Sequence, residues 1–247
     1  MFFPDRVLKV IEVASQSAQG KGWVGGVEGE IQAIQHLAKN AGIDLPIVLD
    51  VGANIGSWTS ALKKIMPESE VHAFEPNSVA FIRLENRLGT LKDVHIYHVG
   101  LGKEAKRATL YFDLPASTKA SLINRRLNHI NITLSSSEDV QITTLDAWQH
   151  EFNVTAPNIL KLDVEGYEFE VLRGGENLLK SIKVVQFEFG GADIDSRIFF
   201  QDFWYFFLEE GFDILRLTPR GLRKVTRYDE IEETFRFTTF YAARWKN

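Results

Sequence analysis

Short apolar runs alternate with amphipathic helical patterns from Ile47 to Phe189, and this alternation restricts the fold more than any other feature of the sequence. Apolar runs that end in glycine or polar residues are typical of strands buried on both faces of a sheet. Repeated strand–helix–strand units predict a parallel sheet with right-handed crossovers and helices on both faces. In such sheets, ligands bind beyond the carboxyl ends of the strands.

The alternating part of the chain contains the main strands and the helices that connect them. Strands are predicted at Ile47–Val51, Glu70–Phe74, Val94–Val99, Asn158–Val164 and Val184–Phe189, and helices at Trp58–Ile65, Val79–Arg87 and Tyr167–Arg173. The predicted fold is therefore α/β, with a Rossmann-like and mostly parallel sheet.

An N-terminal helical addition is predicted over residues 1–44. Apolar residues recur at helical spacing in Asp5–Ser17 and Glu28–Ala41, and the glycine-rich joint Gly20–Gly29 separates them. A single domain of 247 residues is the simplest organisation, with a core over residues 45–247.

Two further segments depart from plain alternation. An insertion at residues 108–144 carries strand-like runs at both ends, Ala108–Asp113 and Val140–Thr144, around a polar stretch from Pro115 to Asp139 that is a candidate lid or substrate loop. The runs Phe212–Leu217 and Phe235–Tyr241 predict a closing hairpin that gives the sheet an antiparallel C-terminal edge.

Charge and composition exclude several classes of protein. The net charge of −5 disfavours binding to a nucleic-acid backbone or an anionic membrane. The chain has no cysteine, so disulfides, thiolate zinc sites and cysteine nucleophiles are absent. Asp5 and Arg6 stand where a signal peptide needs an apolar run, and no stretch is long enough to span a membrane. We therefore expect a cytoplasmic protein.

The turn from Asp50 to Ser57 follows a predicted strand and leads into a helix, which is the geometry of a cofactor loop. Gly52 and Gly56 allow tight backbone geometry, and Asn54 tolerates unusual dihedral angles. A dinucleotide fingerprint requires a second glycine where Asn54 stands, so a pyrophosphate fits poorly. Glu75 ends the next strand and can accept ribose hydroxyl protons, as in both nicotinamide and adenosylmethionine binders.

Four motifs occur in order along the chain: DVGANIGSWT from Asp50, HAFEP from His72, VGLG from Val99 and ILKLDVEGYE from Ile159. Together they closely resemble the FkbM family of methyltransferases, and the resemblance covers about Ile47 to Phe189. It implies a class I methyltransferase sheet, S-adenosylmethionine as methyl donor with S-adenosylhomocysteine as product, and O-methylation of a sugar, polysaccharide precursor or secondary metabolite.

The resemblance also assigns residues to the cofactor. Gly52, Asn54 and Gly56 would line its methionine end, Glu75 its ribose, and Gly100 and Leu101 its adenine, while Asp163 would face the transferred methyl. The full predicted binding set is Asp50, Gly52, Asn54, Gly56, Ser57, Glu75, Pro76, Gly100, Leu101 and Asp163. Nucleic-acid amino-methyltransferases usually carry an Asn/Asp-Pro-Pro-aromatic motif where Asp163 to Gly166 stands, which disfavours that class.

Acidic residues at strand ends are the candidates for catalysis. Glu165 is the first candidate for a base that takes the acceptor proton, and Asp163 for positioning, because residues two apart on a strand lean to the same side. Glu188 is a third acid at this edge, and His98 lies near the end of the third strand. No metal is assigned, since a magnesium site at the three acids ranks below acid–base use.

The remaining polar and aromatic candidates have simpler interpretations. Glu168 is expected on a solvated helix face, and His72 and His95 are expected to fill strand positions. Lys119, Arg125 and Arg126 could hold a phosphate or carboxylate of the acceptor, for example a nucleotide-sugar. The aromatic run from Phe199 to Phe207 predicts core packing or a homodimer contact.

Two alternatives to a methyltransferase stay open from the residues alone. A nicotinamide-dependent oxidoreductase is disfavoured by Asn54 and by the lack of a recognisable Tyr-x-x-x-Lys pair. A cofactor-binding protein without catalysis is the other.

Overall fold

The computed structural model describes residues 5–22 and 25–245. The helices are α1 (Asp5–Ala18), α2 (Gly26–Asn40), α3 (Ser57–Ile65), α4 (Ser78–Leu88), α5 (Leu145–Phe152), α6 (Glu168–Arg173), α7 (Gly191–Ser196) and α8 (Phe200–Glu209). The predicted N-terminal helices are confirmed, and part of the glycine-rich joint between them, residues 23–24, lies outside the described residues.

The strands form one large and one small sheet. They are β1 (Ile47–Val51), β2 (Glu70–Phe74), β3 (Val94–Tyr97), β4 (Gly100–Leu101), β5 (Lys106–Phe112), β6 (Ser136–Thr143), β7 (Ile159–Leu162), β8 (Val184–Phe189), β9 (Asp213–Thr218), β10 (Gly221–Val225) and β11 (Thr238–Ala243). The predicted bounds of β1, β2 and β8 agree with the structure.

The large sheet has eight strands in the order β10-β9-β11-β8-β7-β1-β2-β3. The pairs from β8 to β3 are parallel, whereas β9, β10 and β11 pair antiparallel. The predicted α/β class, with a mostly parallel sheet and an antiparallel C-terminal side, is confirmed. Val51 lies opposite both Phe74 and Leu162, so the residues that follow these three strand ends meet at one edge of the sheet.

The two faces of the sheet are covered by different helices. On one face, α2 buries Ile31, Ile34 and Leu37. On the other, α8 buries Phe200, Phe203 and Phe207 at 0% exposure, against rings that include those of Phe187 and Phe240. Core packing therefore explains these three rings of the aromatic run, whereas Phe199 and Tyr205 are 49% and 50% exposed.

The insertion forms the small sheet together with β4, which precedes it, in the order β4-β6-β5. β5 and β6 pair antiparallel from Lys106↔Ile142 to Phe112↔Ser136, so both strands are longer than predicted. β4 pairs parallel with β6 and joins this sheet to the end of β3. The polar loop between β5 and β6 is thereby anchored beside the carboxyl edge of the large sheet.

The predicted antiparallel pairing of Phe212–Leu217 with Phe235–Tyr241 is confirmed by β9 and β11, but the two strands do not form a hairpin because β10 lies between them in the chain. β9 turns at Pro219 and Arg220 into β10, while β11 inserts between β8 and β9. All six residues of β11 are buried, as a central strand requires, whereas β10 is mostly exposed at the edge. Phe235 has a φ of 48°, which excludes it from the strand.

Within the described ranges, every helix is too short or too polar to cross a bilayer.

Candidate active site

The glycine turn after β1 is pressed against the end of β7. Gly52 has a φ of 78°, and a Cβ at this position would lie 1.9 Å from the carbonyl oxygen of Asp163. Gly56 also has a φ of 78° and begins the approach to α3. Both positions favour glycine because L side chains rarely adopt positive φ.

Asn54 links the turn to the strand beside it and to the insertion. Its φ of 48° is left-handed, which asparagine tolerates better than most residues. Its backbone N–H donates to Glu75 Oε2 at 2.7 Å, and its side-chain Nδ2 donates to the Ser117 carbonyl at 3.1 Å. The glycine turn after β1 and the loop of the insertion are therefore in direct contact.

The Glu75 carboxylate is fixed at the end of β2 by two backbone donors. Oε2 accepts from Asn54, and Oε1 accepts from the N–H of Asn77 at 2.7 Å. Burial raises the pKa of Glu75 to about 7, although these two hydrogen bonds act in the opposite direction. Each oxygen keeps acceptor capacity for a ligand hydroxyl.

Beneath the turn, Asp50 and Lys161 form a buried ion pair. The two side chains are opposite each other on β1 and β7, with Lys161 Nζ 2.9 Å from Asp50 Oδ1. The hydroxyl of Thr59 donates to Asp50 Oδ2 at 2.5 Å, and Lys161 also donates to the Gly52 carbonyl at 3.2 Å. Burial lowers the pKa of Lys161, but Asp50 and Asp163 outweigh this effect and raise it above the usual value.

A cleft of ≈ 700 Å³, part of it open to solvent, lies at this edge of the sheet. It is lined by Val51, Gly52, Asn54, Phe74, Glu75, Pro76, Val99, Gly100, Leu101, Leu110, Ser117, Thr118, Ala120, Ser121, Leu122, Asp163, Val164, Glu165 and Tyr167. Most of the predicted cofactor residues thus meet in one cleft, and the insertion supplies one of its walls.

Five predicted site residues lie outside this lining, although they are neighbours of it: Asp50, Gly56, Ser57, His98 and Glu188. Asp50 is 0% exposed beneath the turn and can act on a ligand only through Lys161 and Gly52. Gly56 faces the side chains of α4, and the Ser57 hydroxyl accepts a hydrogen bond from Arg87 at 2.7 Å.

The fourth of these residues, His98, is exposed on the surface. Its ring stacks on Phe81 with centroids 4.3 Å apart, and its Nε2 lies 3.2 Å from the Pro76 carbonyl oxygen. A catalytic role for His98 stays a prediction that this position does not favour.

The turn after β7 is shaped by the carboxylate of Glu168, which is buried although the sequence predicts it to be exposed to solvent. Glu168 is 2% exposed, and its two oxygens accept from the N–H groups of Val164 and Gly166, each at 2.9 Å. The prediction of a solvated helix face is therefore wrong, because the turn folds its backbone donors onto this side chain. Burial, followed by repulsion from Asp193, raises the pKa of Glu168 to about 8.

Glu165 holds the insertion against the turn. Lys119 Nζ lies 2.8 Å from its Oε1, and the Arg125 guanidinium contacts its Oε2. The Ser121 hydroxyl donates to the Glu165 carbonyl at 2.9 Å. Lys119 and Arg125, predicted to hold an acceptor, are thus partners of an acid in the same site. A base role for Glu165 stays a prediction, and it requires these contacts to open.

A second cavity of ≈ 490 Å³ shares Glu165 with the cleft and is also bordered by Lys119, Arg125 and Glu188. Burial, and then the nearby Asp163 carboxylate, raise the pKa of Glu188 well above its usual value. Among the described residues, the ligand atoms of the three candidate acids do not gather within 4.8 Å of one another. The structure therefore gives no support to the magnesium site considered for them.

Two residues that position the site were not identified from the sequence. Lys161 is the only charged residue of an apolar strand, and a buried charge usually has a partner, so its position could have indicated an ion pair. Glu138, on β6, accepts from Asn77 Nδ2 at 2.6 Å and from the N–H and hydroxyl of Ser78 at 3.0 and 2.7 Å. It anchors the start of α4 across 60 residues of chain, and no local pattern indicates that contact.

Comparison with curated proteins finds methyltransferases among the relatives. The chain is 23% identical over 163 residues to the 2-O-methyltransferase NoeI of Sinorhizobium fredii, a match that covers 60% of this chain and 65% of that protein. It is 28% identical over 159 residues to the hexuronic acid methyltransferase AglP of Haloferax volcanii, covering 64% and 62%. The matches span less than two thirds of either relative.

Among solved structures, an rRNA methylase from Streptococcus thermophilus aligns over 87% of this chain and 95% of its own, with 13% identity and a TM-score of 0.47. The family comparison is more specific. A model of the methyltransferase FkbM domain matches residues 50–214, which run from the end of β1 into β9 and include all four motifs. The chain therefore belongs to the FkbM methyltransferase family.

Proposed function

We propose that this chain transfers a methyl group from S-adenosylmethionine to a hydroxyl of a sugar, polysaccharide precursor or related secondary metabolite, and releases S-adenosylhomocysteine. The observation that carries the proposal is the convergence of Glu75, the Gly52–Asn54 turn and Asp163 on one cleft at the carboxyl edge of a parallel sheet.

The lining of the cleft fits this cofactor chemically. Leu101 and Leu110 offer an apolar wall for adenine, and Glu75 offers oriented carboxylate oxygens for the ribose hydroxyls. Gly52 brings the backbone close to the ligand, at a place where a Cβ has no room.

Bound S-adenosylmethionine supplies a methyl group on a positively charged sulfur. The acceptor oxygen forms a bond to this methyl carbon as the carbon–sulfur bond breaks, so alignment of the acceptor provides much of the acceleration. The hydroxyl proton leaves to a base, a transfer that contributes about 10²–10⁴-fold in enzymes.

Asp163 is our candidate for that base. Its side chain is 41% exposed, it borders the cleft, and the only cation near its carboxylate among the described residues is Lys161 at 3.5 Å. Glu165 is already paired with Lys119 and Arg125, which disfavours the base role expected for it from the sequence. We therefore exchange the two roles, so that Asp163 takes the proton and Glu165 positions the insertion. Glu188, with its raised pKa, is suited to donate a hydrogen bond to the acceptor.

The acceptor class rests on the relatives and on the second cavity. NoeI is named as a 2-O-methyltransferase and AglP as a hexuronic acid methyltransferase, which favours a sugar hydroxyl. Lys119 is 40% exposed at the rim of the second cavity, where it can also attract a carboxylate or phosphate of the acceptor, as in a nucleotide-sugar.

Calorimetry with S-adenosylhomocysteine and NAD tests the cofactor. We expect S-adenosylhomocysteine to bind and NAD not to bind. If NAD binds and S-adenosylhomocysteine does not, the proposal is overturned. Glu75→Ala removes charge-assisted hydrogen bonds worth about 1.5–3 kcal/mol, so affinity should fall about 10- to 100-fold. Glu85→Ala, at an exposed position on α4, is the matched control and should bind normally.

Turnover on a panel of sugars and nucleotide-sugars, followed with methyl-labelled cofactor, tests the acceptor. A chain that binds the cofactor and methylates no member of the panel would contradict the acceptor class and favour a binding protein without catalysis.

A further inference from the structure

Glu70, His72 and His95 form a cluster on the large sheet, away from the candidate active site. Glu70 and His72 are two positions apart on β2, so their side chains point to the same face. His95 is directly opposite His72 on β3, which brings it to that face as well. Glu70 begins β2 and Glu75 follows its end, so these two residues are about 16–17 Å apart along the strand.

The donor atoms of the three side chains converge. Glu70 Oε1 lies 3.1 Å from His72 Nε2 and 3.4 Å from His95 Nε2. One donor atom from each residue lies within 4.8 Å of the others, and this is the only such group of three or more in the described part of the chain. Donors bound to one zinc ion at about 2.0–2.2 Å lie about 3.4 Å apart, so shifts of about 1 Å bring these atoms together.

The chemistry of the cluster also matches a transition-metal ion. Two imidazoles and one carboxylate form a donor set that suits zinc and its neighbours better than magnesium or calcium.

His72 has the outer partner that metal-binding histidines usually have. Its Nδ1 lies 3.0 Å from the Tyr97 hydroxyl, which can accept the Nδ1 proton and leave the Nε2 lone pair facing Glu70 and His95. The ring is held in place by edge contact with Trp148 at 5.0 Å. The side chains of His95 and Glu70 are 51% and 42% exposed, so an ion can reach them from solvent.

We propose that Glu70, His72 and His95 bind one divalent transition-metal ion, with zinc as the representative. The ion joins β2 to the edge strand β3, whose far end continues to Gly100 and Leu101 in the wall of the cleft. Three protein donors leave at least one coordination position for water. The site stabilises the sheet edge, and the methyl-transfer chemistry does not require it.

Zinc titration of the full chain after chelator treatment tests this inference. We expect one zinc ion per chain by calorimetry, and visible absorption bands of imidazole-bound Co²⁺ that zinc displaces. At about 100 times the dissociation constant, zinc should raise the Tm by about 5–10 °C.

Variants of the two exposed donors locate the ion. His95→Gln and Glu70→Gln should each weaken zinc affinity more than about tenfold, while His36→Gln, at an exposed histidine on α2, should not. Tyr97→Phe leaves all three donors in place and should weaken it severalfold. The proposal is wrong if the wild-type chain shows no saturable binding of one equivalent, or if both donor variants bind zinc as the wild type does.

Cofactor binding separates this inference from the proposed function. We expect S-adenosylhomocysteine affinity to be the same in His95→Gln and in the wild type, because the cluster lies at the other end of β2 from Glu75. An affinity that requires zinc would refute the independent, structural role assigned to the ion.

Discussion

Replacement of Lys161 by methionine tests whether the buried ion pair beneath the glycine turn after β1 stabilises the candidate site. Lys161 and Asp50 have side-chain exposures of 4% and 0%, and their charged atoms are 2.9 Å apart. Removing one member of a buried pair typically costs about 3–5 kcal/mol, because the remaining charge is left without its partner. Thr59 still donates to Asp50 in the variant, so we expect the lower end, about 3 kcal/mol.

Denaturant unfolding and calorimetry give the measurement. A loss of about 3 kcal/mol corresponds to a decrease in Tm of about 6–12 °C for a chain of this length. The pair raises the pKa of Lys161 above 10.5, so its stabilisation is complete below that pH and is lost only as the pH rises through the raised pKa. The difference between variant and wild type should therefore stay constant from about pH 6 to 9.

Two controls make the result interpretable. Lys64→Met removes an exposed lysine of α3 and should change stability by less than about 0.5 kcal/mol. The double variant Asp50→Asn with Lys161→Met removes both charges and should recover much of the loss. A loss below about 1 kcal/mol in Lys161→Met, or a double variant as unstable as the sum of the single ones, would refute the reasoning.

Three further predictions concern the candidate site. Asp163→Asn should lower kcat by about 10²–10⁴-fold with cofactor affinity near normal, and an unchanged kcat would remove Asp163 as the base. Glu165→Gln weakens the contacts to Lys119, so amide hydrogen exchange should increase in the insertion and KM for the acceptor should rise more than kcat falls; unchanged exchange would contradict the positioning role. Glu75 must be ionised to accept hydrogen bonds from both ribose hydroxyls, and burial raises its pKa to about 7. The affinity for S-adenosylhomocysteine should therefore fall up to about tenfold for each pH unit below 7. An affinity that calorimetry finds constant from pH 5.5 to 8 would contradict this role.

The buried strands could be predicted from the sequence because a strand that is buried on both faces consists mostly of apolar residues. Ile47–Val51 and Val184–Phe189 are such runs, and they leave little freedom in where a strand begins or ends. The convergence of the candidate cofactor residues could also be predicted, since Gly52 directly follows β1, Glu75 directly follows β2, and paired parallel strands bring their ends together.

What could not be predicted depends on contacts between distant segments. Glu168 reads as a surface acid because nothing local indicates that the turn before it will present two N–H groups to it. The ion pairs of Glu165 depend on how the loop of the insertion folds, 40 or more residues away. To predict the position of β11, one must know that β10 forms the edge of the large sheet. The sequence Gly221–Val225 has no clear strand pattern that indicates this.

The position of β11 has a consequence for how the chain is made. This strand joins β8 to β9, yet its residues, Thr238–Ala243, are synthesised after both of them. Until it leaves the ribosome, β8 and β9 each keep an unpaired edge, the kind of edge that recruits other chains. The large sheet therefore closes only after Thr238–Ala243 has been synthesised, and a chain that stops before Thr238 should aggregate although every residue that lines the candidate cleft is present.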